Sequence, residues 1–142
     1  MIRDINQIED DIGLAKRIIE SVLYNDPDIV ELIDNPTIDP EMPEDLMYVN
    51  IFPFIRVPGT RDTSGNYICY EVDDMSDLSR NDRMKQQYIQ FVVFVHKDLI
   101  RTKYGAPRHD MFGMIIRDLF NRSHLFGHEL KLVQSRGGTT DP

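Results

Sequence analysis

The chain holds one cysteine and fewer basic than acidic residues, and each shortage removes a class of protein. A lone Cys69 cannot close an internal disulfide, and one thiol is too few for a cysteine-built metal cage. No apolar run approaches the roughly 18 to 20 residues that span a bilayer, so no membrane partner is expected. With 16 Lys and Arg against 24 Asp and Glu, the net charge of −8 argues against a sequence-independent grip on nucleic acid, which needs a basic face. No glycine-rich phosphate loop occurs. Met1-Ile2-Arg3-Asp4 reaches an acid at once, without the basic-then-apolar layout of a secretory signal. What is present suits one globular domain: 142 residues, of which 41% are apolar and 28% charged. The expectation is a soluble intracellular domain spanning residues 1–142, without a strong catalytic motif.

The charge is polarised along the chain. Residues 1–50 carry 13 acidic and 3 basic residues, net −10. Residues 51–100 carry 7 and 6, net −1, and residues 101–142 carry 4 and 7, net +3. One reading is a solvated helix face with acidic loops. The other is head-to-tail self-association, in which an acidic surface on one copy meets a basic surface on the next; such contacts form rings when the rotation closes.

The periodicity predicts a helical N-terminal part (1–34), a sheet-and-helix core (47–134) and a flexible tail (135–142). Ile5, Ile8, Ile12, Ala15, Ile19 and Val22 form one apolar helix stripe. Asp26 reads as an N-cap with Pro27 at the first position of a short second helix carrying Ile29, Val30, Leu32 and Ile33. Residues 35–45, with Pro36, Pro40 and Pro43, read as an extended connector. Residues 47–57 read as a strand, with Pro53 marking an edge or bulge, and residues 67–72 as its hairpin partner. Residues 73–85 form a polar excursion. Residues 87–96 give the strongest strand signal and, being apolar on both faces in the far half, are expected to lie centrally. Gly105-Ala106-Pro107 leads into a helix with Met111, Phe112, Ile115, Ile116, Leu119 and Phe120 on a wide apolar face, and residues 129–134 read as a last strand. The class is α+β: a mainly antiparallel sheet of about four strands packed against an N-terminal amphipathic helix and a C-terminal helix.

Candidate chemistry fails on missing partners. His124 and His128 are four apart, but Gly127 between them ends the helix that would align them, and the Glu of the zinc-protease pattern is absent. Glu129-Leu130-Lys131 is an acid-x-lysine triplet of the kind Mg²⁺-dependent nucleases use, yet the Asp expected on a preceding strand is replaced by Asp110 at a helix start. Cys69 has no activating base in view. Asp10-Asp11 and Asp26/Asp28 are better explained as helix starts than as ion ligands. The aromatics concentrated in the strands resemble a base-stacking sheet but lack interleaved cations beyond Arg56. No catalytic residue, metal or cofactor is therefore expected.

The layout of residues 5–23, 47–55, 87–97 and 110–120 resembles the tail terminator proteins of long-tailed bacteriophages, and more broadly the head–tail neck and tail-completion proteins that share their α+β fold. The resemblance covers most of the chain as pattern, without a diagnostic motif. It implies a non-enzymatic virion protein, assembled in the host cytoplasm, that forms a homomeric ring, typically a hexamer. The ring caps the completed tail tube and presents the head-docking surface. The implied partners are other copies of the chain, the tail tube protein and a neck or head-completion protein, with DNA only as passing cargo. The interface candidates are Arg61 and Asp62 at the hairpin tip, Arg80, Asp82 and Arg83 in the polar excursion, and Arg136 in the tail. The alternatives are a neck adaptor or head-completion protein and, from another class, a nuclease using Glu129 and Lys131.

Overall fold

The computed structural model describes residues 11–55, 65–74 and 87–121. Among them, helix α1 (Asp11–Asn25) is followed by α2 (Pro27–Ile33), a 3₁₀ turn at Pro43–Leu46, and strands β1 (Ile51–Phe52), β2 (Asn66–Asp74) and β3 (Gln87–Val95). A second 3₁₀ turn at Lys97–Leu99 precedes α3 (Arg108–Phe120). The three strands form a mixed sheet in the order β1-β2-β3, and the class is α+β.

The helix starts and stops are written locally. Asp26 holds an extended backbone, and its Oδ1 accepts from the amides of Asp28 and Ile29 at 2.9 and 3.1 Å. That cap satisfies two of the orphan donors of α2, while Pro27 supplies the first helical residue without needing a partner for its nitrogen. α2 ends at Asp34, which adopts the left-handed conformation. On α1 the buried positions are Ala15, Ile19 and Leu23, four residues apart. Leu23 rather than Val22 therefore completes the stripe, and Val22 packs only at its margin. On α3 Phe112, Ile116 and Phe120 are buried, with Met111, Ile115 and Leu119 beside them, so the wide apolar face of the sequence is the packed face.

All three helices share one core with a single face of the sheet. Ile51, Ile68, Tyr70, Val72, Phe91 and Val93 belong to that face, as strand alternation and the pairings Ile51↔Ile68, Ile68↔Val93 and Tyr70↔Phe91 require. Phe91 also meets Phe120 of α3, ring centroids 5.1 Å apart. Among the described residues the helices form one layer on that face, and on the other face Phe52 and Cys69 are also buried.

Three expectations need correction. The strand predicted over residues 47–57 shrinks to Ile51–Phe52, and it pairs with β2 in parallel, not as a hairpin. The antiparallel hairpin is β2–β3, paired from Asn66↔Val95 to Asp74↔Gln87. Among the described strands β2 has a neighbour on each side and β3 has one, while the expectation that residues 87–96 lie centrally also turns on residues 129–134, outside those described. The connector over residues 35–45 is a series of turns that runs into the 3₁₀ turn. The reversal has a cause: the chain coils tightly before β1. Tyr48 takes a left-handed backbone (φ 64°), and the amides of Val49 and Asn50 bond back to Leu46 O at 3.1 and 2.9 Å. This turn keeps residues 47–50 out of the sheet, Met47 bridging only to Ile51, and delivers β1 running the same way as β2. The 13 residues between β1 and β2 in sequence are enough for the crossover that a parallel pair requires. The predicted strand at residues 129–134 lies outside the described residues, as do Ile5, Ile8 and the segment 75–86.

Tyr70 gives a pH-dependent prediction. Its buried hydroxyl donates to Lys16 O at 3.2 Å, tying β2 to α1. Burial chiefly, with the charges of Glu20 and Tyr48 adding, raises its pKa far above the ordinary tyrosine value of 10.0. In the unfolded chain the phenol ionises near pH 10 and in the folded chain it does not, so its contribution to stability is complete below about pH 10 and falls by about 1.4 kcal/mol per unit above it. Tyr70→Phe is expected to cost about 1 kcal/mol at neutral pH and to lose that alkaline decline, measured by denaturant unfolding at pH 8 to 11.

Candidate interface surface

Three asparagines far apart in sequence build the frame on which the exposed surface rests. Asn35 Nδ2 donates to Asn50 Oδ1 at 2.7 Å, and Asn50 Nδ2 donates to Asn66 O at 2.9 Å. Asn66 Nδ2 in turn donates to Leu32 O and Ile33 O at 3.2 and 3.1 Å, satisfying carbonyls at the C-terminal end of α2. Arg108 converges on the same end: Nη1 donates to Leu32 O at 2.6 Å and Nε to Leu99 O at 2.8 Å. Asn50 and Asn66 are buried, and among the described residues Asn66 Oδ1 has no hydrogen-bond partner. Sequence reasoning missed this network, because isolated Asn residues read as turn formers and nothing in their spacing predicts that they meet.

Held on this frame, the turn before β1 and the chain after it project a group of apolar side chains outward. Tyr48 is 65% exposed, Val49 46%, Phe54 42% and Ile55 38%. The rings run on into the sheet face opposite the helices. Tyr48 lies 6.5 Å from Phe54, Phe54 packs edge-on to Phe52 at 5.7 Å, and Phe52 meets Tyr67 at 6.2 Å between centroids. Gly65 makes room for Tyr67, since a Cβ there would stand 2.6 Å from the Tyr67 hydroxyl. Lys16 pins the far side of the shelf by donating to Pro53 O at 2.8 Å and pairing with Glu71 at 2.7 Å. The polar residues of that sheet face include Glu71, Asp73 and Gln90, and Lys16, the cation beside them, is already paired with Glu71.

A left-handed backbone at an exposed tyrosine is a local cost, of order 1 to 3 kcal/mol, and such costs concentrate at functional positions. Tyr48→Gly relieves it, offset in part by the greater freedom of glycine in the unfolded chain. The expected outcome in thermal unfolding is a stability equal to or above that of the parent, whereas a tyrosine retained for the fold would lose stability on removal.

The residues singled out by sequence fall mainly elsewhere. Arg61, Asp62, Arg80, Asp82, Arg83, Arg136, Glu129, Lys131, His124 and His128 all lie outside the described residues. Asp110 sits exposed in the first turn of α3, its Oδ1 3.4 Å from His109 Nε2. Cys69 is buried in β2, packed as expected for a sheet residue. Among the described residues no group of three His, Cys, Asp or Glu is placed to hold a metal ion, and no helix is long and apolar enough to cross a membrane. The hollow on α3 lined by Met114, Arg117, Asp118 and Asn121 is wide open to solvent.

Compared with known proteins, the chain matches the family model YomW over residues 26–141. The match begins at the Asp26 cap, so it takes in α2, the whole described sheet and α3, and leaves α1 ahead of it. No curated protein and no solved structure gives a significant match.

Proposed function

The chain belongs to the YomW family, a phage-derived family, and from that premise we propose that it is a structural virion protein acting as a tail terminator. Copies of the chain form a ring at the tail–head junction, cap the tail tube and offer the surface on which the head docks. The protein acts by shape and contact rather than by catalysis. Its partners are its own copies, the tail tube protein and a neck or head-completion protein. The observation that carries this reading is the exposed apolar shelf of Tyr48, Val49, Phe54 and Ile55, held on a buried polar frame in a protein of phage type. Rigid elements that present an apolar patch with a polar rim are what a specific protein–protein contact needs.

A phage with this gene deleted tests the assignment. A missing terminator leaves tube growth unchecked, so tails of abnormal, scattered length without heads are expected in electron micrographs of the lysate. Tails of normal length that fail to join heads would replace this reading with that of a neck adaptor. Intact, infectious particles would remove both.

A further inference from the structure

The described surface carries two compact charged patches of opposite sign. Asp39, Glu41, Glu44 and Asp45, all exposed, lie on the turns before β1 with no basic residue between them, next to the exposed Tyr48 and Val49. Lys97, Arg101 and Lys103, also exposed, lie on the loop after β3, where Asp98 is the one acid of the loop itself, Glu31 of α2 meets Tyr104 from outside it, and the half-exposed Tyr104 carries Lys103 5.4 Å above its ring. Among the described residues none of these acids or cations has an ion-pair partner within its own copy, Asp98 apart. The patches are separately anchored. Asn35 and Asn50 fix the acidic turns, whereas Arg108 and the Tyr104–Glu31 hydrogen bond fix the basic loop. They issue from β1 and β3, the two outer strands of the described sheet.

We infer that these patches are the two halves of one contact: the acidic turn with its apolar shelf (Glu41, Glu44, Asp45, Tyr48) receives the basic loop of the next copy (Lys97, Arg101, Lys103). The inference rests on the self-assembling reading above and names its contact surfaces. Two different patches on each copy make the contact heterologous, the type that propagates head to tail and closes into a ring when the rotation allows. Exposed charges of this kind set the orientation and speed of encounter more than the strength of the complex, and the apolar shelf beside them supplies area to bury.

Sedimentation velocity on the full chain and two charge-reversed variants tests this. One variant carries Glu41→Lys, Glu44→Lys and Asp45→Lys; the other carries Lys97→Glu, Arg101→Glu and Lys103→Glu. The parent is expected to associate, and to do so less in 1 M salt, where the screening length falls to about 3 Å. Each variant alone is expected to sediment as a monomer with an unchanged far-ultraviolet circular dichroism spectrum. Mixed in equal amounts they are expected to associate again, because each now offers the sign the other lacks. Variants that associate like the parent, or a mixture that stays monomeric, overturn the assigned surfaces while leaving a ring with other contacts standing. A parent that is monomeric at its solubility limit overturns the contact itself, whereas the ring is judged separately on tail tubes.

Discussion

Phe112→Ala is expected to destabilise the domain by about 3 to 5 kcal/mol, the range for truncating a buried phenylalanine. Phe112 is fully buried on α3, where the helix meets both α2 and β3, so its ring fills space that three elements share. Removing it forfeits the transfer of the ring from water and leaves a void that α2, the sheet and the neighbouring Ile116 cannot all close upon. A domain of this size has about 5 to 15 kcal/mol in total, so the variant stands near the edge of folding. Met114→Ala, two residues on and 63% exposed, is expected to change stability by less than about 0.5 kcal/mol. Urea unfolding of the two variants beside the parent checks the contrast. Equal effects would mean that α3 docks through a different face.

Asn66→Ala is expected to cost about 2 to 3 kcal/mol. The change removes two hydrogen bonds and leaves Ile33 O unpaired in a buried site, while Leu32 O keeps Arg108. Part of the cost is returned, because the unpartnered Oδ1 disappears with the side chain. Asn66→Asp separates donor from shape. Its carboxylate is nearly the same size but points an acceptor at two carbonyl oxygens, so it is expected to be worse than alanine at pH 7. With its charged form disfavoured by burial, the folded-state pKa of such an Asp rises above the unfolded value of about 3.9. The deficit therefore grows as pH climbs through and above 3.9 and shrinks below it, where the protonated acid regains a donor. A deficit for Asn66→Asp that does not change between pH 4 and 7 would show that Nδ2 donation is not what holds the end of α2.

What was legible in the sequence follows from the range of the forces involved. The Asp26 cap, the Pro27 start, the apolar stripe of α1 and the broad face of α3 depend on neighbours within four residues, and each reads directly from spacing. The α+β class follows from the order of such segments. Strand direction does not, because β1 is oriented by the Tyr48 turn and by Asn50 bonding to Asn66 and Ile68, contacts 16 and 18 residues apart in sequence. The same composition that favours a strand over residues 47–50 also suits a turn that places aromatic rings outward. The surface proposed for assembly was half visible: the charge polarity along the chain is a matter of counting, whereas gathering Glu41, Glu44 and Asp45 beside Tyr48 required the fold.

The central claim is that copies of this chain close into a ring on the end of a tail tube. Its most direct test is electron microscopy of the purified full chain mixed with tail tubes from which the native cap is missing, with native mass spectrometry of the material released from the tube ends. The account predicts a ring seated on one end of each tube, yielding a single multiple of the chain mass, six copies on the resemblance to tail terminators. Tubes with bare ends, or chains bound singly along the tube wall, would contradict it.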